Sequence, residues 1–336
     1  MVDSLGGYNV SGPTVGFGTT IQNLILRNVI ARLRGGLAYT PAGSIVPAVQ
    51  KPGGSGTYTL TNWTDIEPDL TELAEVTPPG PTFLAGDNLQ FAAKLIGQYL
   101  PVTWLATILA GEDLVAQSVE TISRMAAEAY DLLARNVYLA ATTDFWAGTS
   151  SNSTDDVVYT DILTSELCVD IVQALRANDV EPLPSGAYAL VGHPLAFSPL
   201  LKAFADGTVN AASFGTVGDL TKGSIGRYLS LDFVPTSRGI VLTGAGKNNA
   251  DIYKLCAIGK QALAMSSVGG NFTPIVRVSN DVSDPLGQIK ATIGYKAFAG
   301  AALVKVANRS DGAGSADAQV ARCYLAEVGG GVAPAA

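Results

Sequence analysis

The residues of this chain best suited to chemistry are its single histidine, His193, its three cysteines, Cys168, Cys256 and Cys323, and two adjacent acid pairs, Glu112–Asp113 and Asp155–Asp156. A histidine works as a general base when a nucleophile and an orienting acid lie within hydrogen-bond reach. His193 sits in "VGHPLAF", between the end of an apolar run and a proline, far from any serine, cysteine or aspartate in an obvious motif. No Gly-x-Ser-x-Gly nucleophile elbow occurs. One histidine and three scattered cysteines do not make a zinc site. The cysteines form neither a Cys-x-x-Cys nor an even disulfide set, so they read as free buried thiols of a reducing compartment. Glycosidase carboxylates come from different elements at a set separation, which sequence neighbours do not supply. Glu112–Asp113 is better explained by a helix start and Asp155–Asp156 by a solvated loop. "GAGKNN" (244–249) mimics half of a phosphate loop, but the full motif would need Gly at 241 and Ser or Thr at 248, where Val and Asn stand. "GFG" (16–18) lacks the third glycine of a dinucleotide fingerprint. The expectation is therefore no catalytic, cofactor-binding or metal-ligating residue, with a hydrolase of unmarked carboxylates as the enzyme alternative.

Composition points elsewhere. Hydrophobic residues make up 47% of the 336-residue chain and charged residues only 15%, against a usual charged share of about 25%. No window approaches the roughly 18 apolar residues needed to span a bilayer, so the excess is not a membrane anchor. It marks either an Ala/Gly-rich globular protein or one whose surface is covered in part by other copies of the chain. The N-terminus, "MVDSLGGYNVSG", has no basic region followed by an apolar core, so no secretory signal is read there. The five Asn-x-Ser/Thr sequons then carry no weight. A net charge of −8 excludes a generic basic nucleic-acid binder.

The charge is also segregated. Between Ser4 and Thr64 stand Arg27, Arg32, Arg34 and Lys51 with no acid; between Asp65 and Asp87 stand Asp65, Glu67, Asp69, Glu72, Glu75 and Asp87 with no base. Such segments are either simply solvated or mark a basic arm of one chain lying on an acidic loop of another. The inter-subunit contact candidates are Arg27, Arg32 and Arg34 against Asp65, Glu67, Asp69, Glu72 and Glu75.

The elements follow from periodicity. "TTIQNLILRNVIARLRGG" has helical spacing ended by Gly35–Gly36. "TYTLTNW" alternates as a polar strand, and "FLAGDNLQFAAKLIGQYLPVTWL" reads as a second extended arm entering an apolar segment. A long, weakly hydrophobic hairpin of this kind buries little by itself. "EDLVAQSVETISRMAAEAYDLLARNVYLA" places Val115, Val119, Ile122, Ala126, Ala129, Leu133 and Val137 at spacings of three and four, a helix of roughly 40 Å. "TSELCVDIVQALRAND" is a second amphipathic helix with Thr164 as N-cap. Strand "AYALVG", helix "PLAFSPLLKAF" and strands "RYLSLDFVP", "GIVLTG", "DIYKLCAIG" and "TPIVRVS" follow. In "DPLGQIKATIGYKAFAGAALV" (284–304), Ile289, Ala291, Ile293, Tyr295, Ala297, Ala299 and Ala301 share one face of a half-buried strand. The tail from 309 reads as loop-like.

Asp284, Pro285, Leu286, Gln288, Gly294, Tyr295, Lys296, Ala297, Gly300 and Ala301 carry a likeness. This segment resembles the Asp-Pro-Leu-x-Gln … Gly-Trp/Tyr-Lys-Ala … Gly-Ala-Ala stretch of major capsid proteins of the N-four-like phage family. "RLRGGLAYTPAG" and "DIYKLCAIGKQAL" support it more weakly. The order of parts resembles the α+β, Hong Kong 97-like fold of tailed-phage capsids. By that resemblance residues 1–50 are the N-terminal arm and 51–100 the extended loop. The first part of the peripheral domain, with the spine helix, is 101–180, and the axial domain 181–250. The return strands of both domains are 251–308, and 309–336 the tail.

The resemblance implies a structural protein that assembles with itself into hexamers and pentamers, closing an icosahedral head around double-stranded DNA that it does not read by sequence. It further implies portal and decoration proteins, a location in the virion and assembly in the bacterial cytoplasm. Because the chain starts at Met1, a separate scaffold, or none, is expected rather than a removed extension. The alanines of the late strand would act as spacers letting the long helix approach the sheet. The alternatives are an encapsulin-like nanocompartment shell, a soluble enzyme with an unmarked site, and a tail or decoration protein.

Overall fold

The computed structural model describes residues 38–40, 45–50, 56–63, 70, 80–81, 83, 86–110, 114–141, 143–148, 153–205, 226–266, 272–278, 289–304 and 320–326. Strands β1 (Ile45–Gln50), β2 (Thr57–Trp63), β3 (Gly86–Ala92) and β4 (Lys94–Thr103) come first. Helices α1 (Trp104–Ala110) and α2 (Leu114–Tyr138) follow. Then come β5 (Thr143–Trp146), α3 (Ser165–Ala177), β6 (Tyr188–Gly192) and α4 (Pro194–Ala205). The remainder is β: β7 (Arg227–Tyr228), β8 (Leu231–Pro235), β9 (Ile240–Leu242), β10 (Ile252–Ile258) and β11 (Leu263–Ser266). Four more strands close the chain: β12 (Phe272–Val278), β13 (Ile289–Ala299), β14 (Ala301–Leu303) and β15 (Val320–Ala326). The expected mixture of helix and sheet is what forms.

Two compact units divide these elements. In the first, Ala93–Leu133 and Ser266–Gly300 build a three-stranded antiparallel sheet, β12-β13-β4, together with α1 and most of α2. The long helix appears where its spacing predicts, and at 25 residues it is about 37 Å long. Its buried face carries Val119, Ile122, Ala126, Ala127 and Tyr130. On β13, Ala291, Ile293, Tyr295, Ala297 and Ala299 are buried, the face the alternation marked. Tyr130 is pushed up to about 12 by burial, with a smaller contribution from the neighbouring Tyr295.

The alternation does not run on through Ala301 as expected. Gly300 donates its N–H to Ser266 Oγ at 2.9 Å and accepts from the Ser266 N–H at 3.0 Å. That pairing ends β13, and Ala301 begins β14, which pairs with β11 in a different sheet.

The second unit holds Ala38–Ala92, Ala134–Met265 and Ala301–Ala336. It contains a five-stranded sheet, β14-β11-β1-β2-β3, and a seven-stranded sheet, β5-β15-β10-β6-β8-β7, with β9 also paired to β10. Leu167, Ile171 and Leu175 of α3 and Phe197 and Leu200 of α4 pack with Tyr188, Leu190, Tyr253, Leu255, Cys323 and Leu325 of the larger sheet. Every residue of β6 is buried, which matches its unbroken apolar sequence. Thr164 caps α3, its side chain accepting from the Leu167 N–H at 3.2 Å.

Three readings of the sequence change here. The tail, expected to be loop-like, contributes β15, a strand inside the larger sheet. β15 pairs with β10 along seven residues, Val320 to Ala326, and runs parallel to β5. "RYLSLDFVP" is two strands, because Leu229 (φ 47) and Ser230 (φ 63) turn the chain in the left-handed region. That conformation costs a non-glycine residue about 1–3 kcal/mol. Arg227 offsets it by gripping Asp232 through Nε (2.8 Å) and Nη2 (3.2 Å), and Ser230 O accepts from the Tyr188 N–H at 2.9 Å. Finally, β1 lies in the stretch read as an irregular arm and pairs with β2.

Candidate inter-subunit surface

The residues that looked capable of chemistry are occupied with structure. His193 precedes α4 and accepts the Leu195 N–H on Nδ1 at 3.3 Å, while its ring lies 5.3 Å from that of Tyr253. Cys168, Cys256 and Cys323 are buried and free, as expected. Burial pushes the Cys168 and Cys256 thiols up to about 12 and Cys323 up as well, the opposite of an activated nucleophile. "GAGKNN" is a surface turn with backbone donors already used at Gly246 and Lys247. Gly246 N–H donates to Ala250 O at 2.9 Å and Lys247 N–H to Val157 O at 2.9 Å, so neither is free for a phosphate. Asp155 and Asp156 are exposed in a single turn, and Asp156 accepts from Ser153 Oγ at 2.9 Å. Glu112 and Asp113 lie outside the described residues.

A depression of about 300 Å³ is lined by Arg176, Asp179, Glu181 and Tyr188. Its charged groups are engaged: Arg176 donates to Ser230 Oγ at 3.1 Å and Glu181 pairs with Lys260. Among the described residues no group of three or more His, Cys, Asp or Glu could hold a metal ion, and no helix is long and apolar enough to cross a membrane.

What the described surface does offer is apolar area without cover. β2 and β3 form the expected extended hairpin, in register from Thr57↔Ala92 to Trp63↔Gly86. Tyr58 stacks on Phe91 with ring centroids 5.8 Å apart, and Thr61 Oγ1 donates to Asn88 Oδ1 at 2.8 Å. Towards its far end the hairpin leaves Trp63 58% and, just before β3, Phe83 81% exposed. Trp63 lies over Gly86, where a Cβ would come within 3.1 Å of the indole; glycine leaves room for the ring. In the other unit, β4 exposes Leu95 and Tyr99, and α1 exposes Trp104, Leu105, Ile108 and Leu109. Periodicity could not mark this surface, because an apolar residue that faces a partner has the same sequence signature as one that faces the core.

Arg27, Arg32 and Arg34, and Asp65, Glu67, Asp69, Glu72 and Glu75, all lie outside the described residues, so their pairing stays a proposal.

No protein-family model and no curated protein matches the chain. Solved structures do. The capsid of Ralstonia phage GP4 is 12% identical with a TM-score of 0.62, and the similarity covers 87% of each chain. The capsid of cyanophage P-SCSP1u is 10% identical with a TM-score of 0.59, over 84% of this chain and 86% of that one. The capsid asymmetric unit of cyanophage Pam1 is 14% identical with a TM-score of 0.56, over 82% and 86%. At such identities the likeness lies in the path of the backbone. The chain has the Hong Kong 97-like fold of phage capsid chains.

Proposed function

We propose that this chain is the major capsid protein of a tailed phage of the N-four-like group, and that it has a structural rather than an enzymatic role. Copies assemble into hexamers and pentamers that close an icosahedral shell around double-stranded DNA. The chain then resides in the virion, after assembly in the bacterial cytoplasm with a portal and decoration proteins. The observation that carries this reading is the shared fold over 87% of both this chain and a phage capsid chain. The bare aromatic residues Trp63 and Phe83 at the far end of the hairpin support it, since uncovered apolar patches of this kind mark contact surfaces. Obligate interfaces typically bury about 2,000–5,000 Å², which suits a chain with only 15% charged residues.

Electron microscopy of the purified chain, with its mass by light scattering, tests the proposal. Closed shells, or hexamers and pentamers, are expected. A particle of one chain's mass at every salt concentration would refute it, and a shell formed without nucleic acid in the native host would favour a nanocompartment. Pairing of the basic and acidic segments is part of the same proposal. Each exposed pair contributes only about 0–1 kcal/mol, but a shell repeats it many times. R32E/R34E is expected to impair assembly and leave helix content unchanged; normal shells from that variant would exclude the pairing.

A further inference from the structure

Helix α1, "WLATILA", has no charged residue, and none occurs anywhere between Lys94 and Glu112. A helix apolar all round belongs in a core. This one is on the surface: Trp104 is 47%, Leu105 66%, Ile108 73% and Leu109 75% exposed. The four residues form two adjacent i, i+4 rows, 104 with 108 and 105 with 109, so they make one continuous ridge. Seven residues are too few for a helix to persist on propensity alone. A cap, the Ala106 N–H donating to Thr103 Oγ1 at 3.2 Å, holds its first turn.

We infer that α1 is a hydrophobic anchor buried against a second copy of this chain in the assembled particle. The inference rests on the self-assembly proposed above and names a surface that takes part in it. Three observations select a second copy as occupant. The ridge presents on the order of 500 Å² of apolar area, within the roughly 300–600 Å² of the largest patch on a monomer. That is more than half of the ~800 Å² per partner of a stable interface, and β4, which leads straight into α1, exposes Leu95 and Tyr99 as well. The absence of charge across the whole segment fits a permanent homo-oligomeric contact, whose centre resembles a domain core; transient partners leave more polar surfaces. A helix lying on a membrane would carry lysine or arginine along its polar face, and α1 has neither.

The test uses I108C in the full chain. The described native cysteines are buried, and these are all the cysteines of the sequence, so maleimide at neutral pH reports on position 108 alone. Labelling is expected to be fast in the dissociated chain and slowed at least about tenfold in assembled particles. In parallel, I108E/L109E is expected to raise the concentration needed for assembly at least about tenfold with an unchanged far-UV circular dichroism spectrum. Particles in which the I108C thiol stays as reactive as in the dissociated chain overturn the inference while leaving the proposed function standing. Protection already in the dissociated chain also overturns it, since α1 would then be covered by its own chain. If the unsubstituted chain forms no particle at all, both readings fall.

Discussion

Leu325 lies near the end of a tail whose sequence, "DGAGSADAQVARCYLAEVGGG", looks expendable, yet the side chain is fully buried in the core beneath α3 and α4. Truncating a buried leucine to alanine removes its transfer free energy and leaves a cavity, at a cost of about 2–5 kcal/mol. L325A should lower stability by that amount. Stopping the chain after Gln319 should do far more. It removes Val320, Tyr324 and Leu325, each buried to 4% exposure or less, and burial of each contributes about 1.5–3 kcal/mol. It also leaves β10 unpaired along one edge and β5 with no strand to join. That loss approaches the whole stability of a typical protein, about 5–15 kcal/mol, so the shortened chain should not fold. Urea unfolding of the dissociated chain, followed by circular dichroism, measures both. An L325A midpoint equal to that of the unsubstituted chain, or cooperative unfolding of the shortened one, would refute the placement of β15 in the core.

Three further outcomes are expected. In G294A the new Cβ would lie 2.7 Å from Gln98 O and 2.8 Å from Tyr99 Cβ, atoms of the adjacent strand that must move; a loss of about 1–3 kcal/mol is expected by urea unfolding, and none if the strands are further apart. D144A removes the carboxylate that Arg322 grips through Nε (2.6 Å) and Nη2 (2.8 Å), leaving the guanidinium Leu139 O as its acceptor among the described residues. A double-mutant cycle with R322M should give a coupling of about 1.5–3 kcal/mol; additive single effects would deny the pair a role. The Cys168 and Cys256 thiols stand at about 12 in the fold against an ordinary 9.0, so the folded chain holds protons that the unfolded chain releases. Their contribution is complete below pH 9 and is lost as pH rises from 9 towards 12. The urea midpoint should therefore fall between pH 8 and pH 11, and a flat profile would contradict the burial of these thiols.

Much of this fold was legible in the residues. The long helix declares itself because Val119, Ile122 and Ala126 recur at its period over more than six turns, and no glycine or proline intervenes. Thr164 marks the start of α3 because a side-chain acceptor before an apolar run satisfies a helix N–H wherever the helix later packs. The late strand was recognisable as a strand and as part of a capsid-like segment.

Other features depend on groups distant in sequence. Whether "VARCYLA" is a loop or a strand is decided by β10, more than sixty positions earlier, whose free edge supplies the hydrogen bonds the segment cannot make alone. The end of β13 at Ala299 is set by Ser266, which captures the Gly300 backbone. Most consequential for assembly is α1. Hydrophobicity in a sequence reports only that a residue leaves water, and only the tertiary structure distinguishes Ile122, covered by its own chain, from Ile108, which stands mostly exposed.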